Sequence, residues 1–218
     1  MKAGFTATLP NLVASILVVC TGNVCRSPIA EVILRSTLRE RLGESAPSVA
    51  SAGTSGWAGS LAEEGSIVAA AERGFDLSAH RGRRLHERDL SDAALVIAMS
   101  SEHRDHIEDL HPSVAAWTFT LKELVRLLER LPPREHPSAG EQAVDPHATL
   151  RDLVGRASER RRAGDFGNPA DEGIIDPLGM PLATYRAVAA ELEEWCVRLV
   201  DAMFGPAPVR AALISDPD

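Results

Sequence analysis

Apolar and polar positions along the chain fall into alternating blocks. The aliphatic run Ile16-Leu-Val-Val19 stops at Cys20, and from Pro28 onward apolar residues recur at helical spacing (Ile29, Val32, Ile33, Leu42) with Glu31, Arg35, Arg39 and Glu40 between them. The first pattern predicts a strand over about 14–20, the second a helix over about 28–42 that Gly43 closes. Ser48-Val-Ala-Ser51 predicts a short second strand, and 61–73 an alanine-rich helix ended by Gly74. The unbroken apolar run 94–99 suits a third strand buried on both faces. A helix over 102–110, a fourth strand over 115–119 and a helix over 121–131 follow. Tyr185, Val188, Leu192, Trp195, Leu199 and Met203, three and four apart, make 181–204 a final amphipathic helix. Strands alternating with helices predict an α/β fold: an open parallel four-stranded sheet flanked by helices. The loop between strand 1 and helix 1 then lies at the carboxyl edge, where such sheets place ligands.

The pattern lapses in three places. Residues 1–13 read as an N-terminal extension, and 205–218 as a disordered tail after a domain spanning 14–204. Within that domain, 132–173 is insertion-like: it opens on Pro132-Pro-Arg-Glu-His-Pro137 and holds a basic helix-like piece, Leu150 to Arg162, with arginines at 156 and 160–162. A solvated helix is the simpler reading of that piece; a docking arm for an acidic partner is the sharper one.

The loop after strand 1 carries the chemistry. Cys20-Thr-Gly-Asn-Val-Cys-Arg-Ser-Pro28 joins a strand to a helix that Pro28 can enter in its first turn. Amides of such a loop converge on one point, helped by the helix dipole, and form an anion nest. Gly22 and Asn23 tolerate the backbone angles a nest needs. A cysteine ringed by inward amides and a cation is expected to be a low-pKa nucleophile. Arg26 can grip two phosphoryl oxygens with its planar fork, and Ser27 can donate its hydroxyl to the sulfur. Phosphate, or an oxyanion like it, is the expected guest.

Composition narrows the setting. Of 218 residues, 44% are hydrophobic and 25% charged, which is ordinary for a globular protein long enough to bury a core. The net charge of −8 argues against nonspecific nucleic-acid binding. Three irregularly spaced cysteines (Cys20, Cys25, Cys196) are no disulfide framework and point to a reducing, cytoplasmic setting. No run is long enough to cross a bilayer, so no membrane partner is expected. The stretch ending at Cys20 loosely mimics a lipoprotein leader, but Pro10, Asn11 and Val19 spoil it.

Cys20-Thr-Gly-Asn-Val-Cys-Arg-Ser-Pro-Ile-Ala-Glu31 closely resembles the signature of the low-molecular-weight protein tyrosine phosphatases. Ser51-Ala-Gly-Thr54, Trp57, Gly74-Phe-Asp-Leu-Ser78, His80-Arg-Gly-Arg83, Val96-Ile-Ala-Met99 and Asp176-Pro177 follow in the family's order. The resemblance covers about 14–128 and 174–203. It implies a cofactor-free, metal-free phosphatase acting on a phosphorylated protein or small aryl phosphate. Cys20, Arg26 and Asp176 are the implied catalytic residues, and Thr21, Gly22, Asn23, Val24, Cys25 and Ser27 bind phosphate. Ser51 and His80 support the loop, and Trp57 lines the substrate pocket. Asp176 follows the apolar pair Ile174-Ile175 and precedes a stiffening proline, whereas the same dipeptide at Asp145-Pro146 lacks that lead-in. In relatives with this Cys-x4-Cys loop the second cysteine can pair reversibly with the nucleophile, which gives Cys25 either a redox role or plain packing.

Departures bear on the substrate. Ser100 stands where the family often has aspartate, and Leu178-Gly179 where tyrosine-directed relatives place aromatics. Arginine-phosphate phosphatases of the family resemble this loop with Thr in place of Val24, which turns the expectation away from phosphoarginine. Arsenate reductases share the fold and loop. Their thioredoxin-linked forms use two further cysteines absent here, but a form served by an external thiol would need only Cys20. A phosphate-binding module without turnover is the non-enzyme alternative, and it would need neither a reactive cysteine nor an acid. His103, His106 and His111 lie amid acidic residues but lack a convincing full set of metal ligands, so no metal is expected.

Overall fold

The computed structural model describes residues 15–132, 145–165, 167–168 and 172–206. The extension at 1–13, nearly all of the tail at 205–218, and 133–144 of the insertion-like stretch therefore lie outside the described residues. Four parallel strands, β1 (Ser15–Cys20), β2 (Ser48–Gly53), β3 (Leu95–Ala98) and β4 (Thr118–Thr120), form one sheet in the order β2-β1-β3-β4. Seven helices accompany it among the described residues: α1 (Arg26–Leu42), α2 (Glu64–Ala71), α3 (Glu87–Asp92), α4 (Ser101–Leu110), α5 (Leu121–Glu129), α6 (Pro146–Arg162) and α7 (Leu182–Phe204). None is long and apolar enough to cross a membrane.

Side-chain alternation along β1 divides the interior. Ile16, Val18 and Cys20 join the larger core with α1, α2, α5, α6 and α7; Leu17 and Val19 join a smaller one with Leu90, Ile107 and Val114 on the opposite face. As one of the sheet's two central strands, β1 thus delivers Cys20 into the interior at its carboxyl edge.

Several boundaries differ from expectation for local reasons. β2 runs on to Gly53, because Ala52 and Gly53 continue the ladder opposite Val19 and Cys20. Pro112 opens a 3-10 turn through Trp117, so the fourth strand starts only at Thr118. The second helix begins at Glu64 rather than 61, since Glu63 N–H is taken by the Val24 carbonyl (2.9 Å). The short α3, opened by a His86–Asp89 capping box, has no clear apolar period and was not expected. On α7 the buried stripe runs through Ala189, Cys196 and Val200; Trp195 is half-exposed, with the Arg198 guanidinium 4.0 Å from its ring centre.

The basic piece of 150–162 lies within α6, which is not a fully solvated helix. Thr149, Leu150, Leu153, Val154, Ala157 and Ser158 are buried. Arg161 lies over the Phe119 ring (4.4 Å) and donates to the carbonyls of Thr118 and Ala115, while Arg160 pairs with Asp165 (2.7 Å). Those two guanidinia are engaged within the fold rather than presented to an acidic partner.

Candidate active site

Between β1 and α1 the chain folds into a cup. The carbonyls of Cys20, Thr21, Gly22 and Val24 accept from the backbone of Thr54, Ser55 and Gly56, Trp57 and Glu63, at 2.9–3.1 Å. The Asn23 carbonyl accepts from His80 Nε2 (2.7 Å). With these carbonyls engaged outward, the N–H groups of Gly22 to Cys25 make no hydrogen bond among the described residues. Backbone donors left this way in a buried loop at a helix start define an anion site.

Asn23 holds the cup. It sits at φ 59°, a strained value for a side chain with a Cβ, and its amide compensates by local bonding. Nδ2 donates to Ser27 Oγ (3.0 Å) and Ser51 Oγ (2.8 Å), and Oδ1 accepts from Arg83 N–H (2.9 Å). Gly22, expected to share the unusual angle, does not have positive φ. It is small for room instead: a Cβ there would stand 3.3 Å from Val24 Cγ2 and 3.6 Å from the Trp57 ring. Gly53 lets β2 approach, since a Cβ would meet the Thr21 carbonyl at 2.5 Å.

Cys20 is 2% exposed, with its sulfur 3.0 Å from Ser27 Oγ. Because Ser27 Oγ accepts from Asn23, its own proton is free to point at the sulfur. Arg26 is 5% exposed: Nη1 donates to the Ile174 carbonyl (3.2 Å), Nη2 pairs with Asp176 Oδ2 (2.6 Å), and Nε is buried without a hydrogen-bond partner. A guanidinium N–H buried and unpaired is costly unless a ligand meets it. Asp176 is 44% exposed, its Oδ1 accepting from Leu178 N–H (3.2 Å). Asp176, 150 residues on in sequence, therefore meets the loop that carries Cys20 and Arg26, with half-exposed Trp57 beside Gly22.

Asp145, the rival of Asp176, caps α6 instead: Oδ1 accepts from His147 N–H (2.9 Å) and Pro146 takes the first helical position. Cys25 is buried, and burial pushes its thiol up to about 12. Cys196 is also fully buried in the larger core.

Sequence reasoning missed two residues at the site. Ser51, having accepted from Asn23, donates to Glu31, which also pairs with Arg35 one helical turn on. The chain of bonds thus runs from Cys20 through Ser27, Asn23 and Ser51 to Glu31. The i, i+4 spacing of Glu31 and Arg35 was the only local hint. His103 was considered as a metal ligand, but its ring is buried with Nε2 2.8 Å from Thr21 Oγ1 and Nδ1 2.7 Å from Ser100 Oγ. Burial, and then the Arg26 charge, hold it down to about 4, so it is neutral at physiological pH. Among the described residues no three His, Cys, Asp or Glu side chains converge as a metal site.

Residues 15–131 match the family model described as low molecular weight phosphotyrosine protein phosphatase. The chain is 33% identical over 134 residues to the probable low molecular weight protein-tyrosine-phosphatase EpsP of Ralstonia nicotianae, covering 62% of this chain and 88% of that one. It is 30% identical over 186 residues to a protein-arginine-phosphatase of Geobacillus stearothermophilus, covering 85% and 93%. Among solved structures it resembles the Erwinia amylovora tyrosine phosphatase amsI (TM-score 0.61, 26% identity, 88% and 94% covered). The YwlE arginine phosphatase of G. stearothermophilus is similar to the same degree (TM-score 0.61, 30% identity, 86% and 91% covered).

Proposed function

The chain belongs to the low-molecular-weight phosphotyrosine protein phosphatase family, and from that premise we propose that it hydrolyses phosphate monoesters on proteins, phosphotyrosine foremost, through a phosphocysteine. One observation carries the reading: a buried cysteine sulfur beneath unpaired loop amides and an unpaired Arg26 Nε, with a carboxylate at the mouth.

In this mechanism the substrate's phosphoryl oxygens take the amides of Gly22 to Cys25 and the Arg26 fork, displacing Asp176 from Nη2. The Cys20 sulfur, nucleophilic as thiolate, attacks phosphorus in line as the P–O bond to the leaving group breaks. Asp176 gives its proton to the departing oxygen. In the second step water attacks the phosphocysteine, Asp176 takes a proton from it, and the S–P bond breaks. The Ser27 hydroxyl then stabilises the departing sulfur. None of these steps asks for a metal or organic cofactor. The irregular cysteine set supports a reducing, cytoplasmic setting.

Phosphoarginine is the second reading, favoured by the long match to the G. stearothermophilus protein-arginine-phosphatase and opposed by Val24. Purified protein should be assayed on a phosphotyrosine peptide, a phosphoarginine peptide, and arsenate with a small thiol. Preferential release from the tyrosine peptide, abolished in Cys20→Ser, is the expected result. Preference for either other substrate, or near wild-type turnover by Cys20→Ser, overturns it.

A further inference from the structure

The segment that carries Asp176 is fixed at one end by an ion cluster that the catalytic steps do not use. Glu172, with only 7% of its side chain exposed, accepts from Arg104 Nη1 of α4 (3.2 Å) and lies 3.6 Å from Arg126 Nη2 of α5. The same Arg104 nitrogen donates to Glu123 Oε2 (3.2 Å), so one guanidinium spans two buried carboxylates. Directly after Glu172, Lys122 donates to the Gly173 carbonyl (3.0 Å), and Ile174, itself buried, gives its N–H to Met99 (2.9 Å) and its carbonyl to Arg26. Beyond that point the chain is exposed at Ile175 and half-exposed at Asp176.

We propose that Glu172, gripped by Arg104, is a positioning residue that sets where the Asp176 carboxyl stands over the cup. The proposal rests on the reading of Asp176 as the general acid.

The physical case starts from cost. A buried carboxylate pair sharing one cation is a weak device for stability, since apolar residues of similar size usually do as well. What it supplies is a fixed, directional anchor. Burial, and then the neighbouring charge of Glu123, push the Glu172 carboxyl up, and the attraction of Arg104 and Arg126 offsets this only in part. Glu172 lies four residues before Asp176, a reach of at most about 13 Å, and with the Lys122–Gly173 and Met99–Ile174 bonds it fixes the course of the chain that leads to the acid. An acid misplaced by about 1 Å can lose about 10²-fold in rate.

Glu172 lines a cavity of about 390 Å³ with Arg104, Glu108, Glu123 and Arg161, so an isosteric amide fits without crowding. The experiment compares wild type, Glu172→Gln, Asp176→Asn and the double variant on phenyl phosphate and on an aryl phosphate with a strongly activated leaving group. Glu172→Gln is expected to lose about tenfold or more in kcat/KM on phenyl phosphate and less than about threefold in kcat/KM on the activated substrate, a part of the acid's ~10²–10⁴. In the double variant the loss on phenyl phosphate should be no greater than in Asp176→Asn alone. Equal losses on both substrates, no loss, or additive losses in the double variant overturn the proposal while leaving Asp176 as the acid. If Asp176→Asn itself loses equally on both, the underlying reading fails, and the proposal falls with it. Should Glu172→Gln fail to fold, Arg104→Lys keeps the charge but loses the fork, and must show the same dependence on leaving group.

Discussion

The two halves of the site are built in opposite ways. The cup from Cys20 to Ser27 is contiguous, buried at Cys20 and from Asn23 to Ser27, and bonded on its outer side through backbone carbonyls and the Asn23 amide. The segment from Glu172 to Pro181 is fixed through Glu172, Gly173 and Ile174, then lies exposed at Ile175, Leu178 and Met180. Pre-organised donors for the phosphoryl oxygens need rigidity, because they act without reorganising during reaction. The acid must meet leaving groups of different shape and release product, which suits an anchored but open arm. Damage to the cup should therefore show in binding and stability, and damage to the arm in the dependence on leaving group.

The largest expected effect is on the arm. Asp176→Asn should lower kcat/KM for phenyl phosphate by about 10²–10⁴ yet barely change kcat/KM for an activated aryl phosphate, whose leaving group needs no proton in the first step. Steady-state rates across a leaving-group series check this; equal losses along the series, or a larger loss from Asp145→Asn, reject the division of labour.

Next in size is the pin of the cup. Asn23→Ala loses bonds to Ser27, Ser51 and Arg83 and keeps the strained φ, which should cost about 4 kcal/mol in denaturant unfolding. Asn23→Gly relieves only the backbone part, so it should be the milder of the two. A cup indifferent to both substitutions would not be the rigid half described above.

A smaller, pH-dependent effect belongs to His103, which bridges Thr21 of the cup and Ser100. Its folded pKa of about 4 lies below the ordinary 6.5, so the unfolded chain binds the extra proton first as pH falls. Its contribution is whole above pH 6.5, is lost between 6.5 and 4, and amounts to at most about 3 kcal/mol. His103→Gln should flatten that part of the stability profile measured by urea unfolding; an unchanged slope would remove His103 from the account.

Legibility followed sequence distance. The cup was readable because strand, loop, nucleophile, cation and helix start lie within about a dozen residues. The sheet was readable chiefly because β1 and β3 are apolar runs between helical periods, whereas β2 and β4 are short and mixed with Ser and Thr. Asp176 was distinguishable from Asp145 by its apolar lead-in and its place in the family's order; of that apolar pair Ile174 is buried and Ile175 exposed, while Asp145 caps α6. Glu31 and His103 were not legible in these roles, because each works through a partner 20 or 82 residues away. Glu172 was equally hidden: its partners come from two helices, and no local spacing marks a shared guanidinium. The same limit affects Cys25. Its place in the loop is plain from sequence, but burial keeps its thiol protonated at neutral pH, which slows its attack on an oxidised Cys20.

The claim that joins both halves is that phosphate passes through the Cys20 sulfur. Rapid acid quench of Asp176→Asn during turnover of an activated aryl phosphate, followed by peptide mass spectrometry, reads it out. Without a base for the second step the phosphoryl group should accumulate on the peptide containing Cys20, and be absent in Cys20→Ser. Turnover continuing with no phosphoryl adduct on Cys20, or with one on another residue, would contradict it.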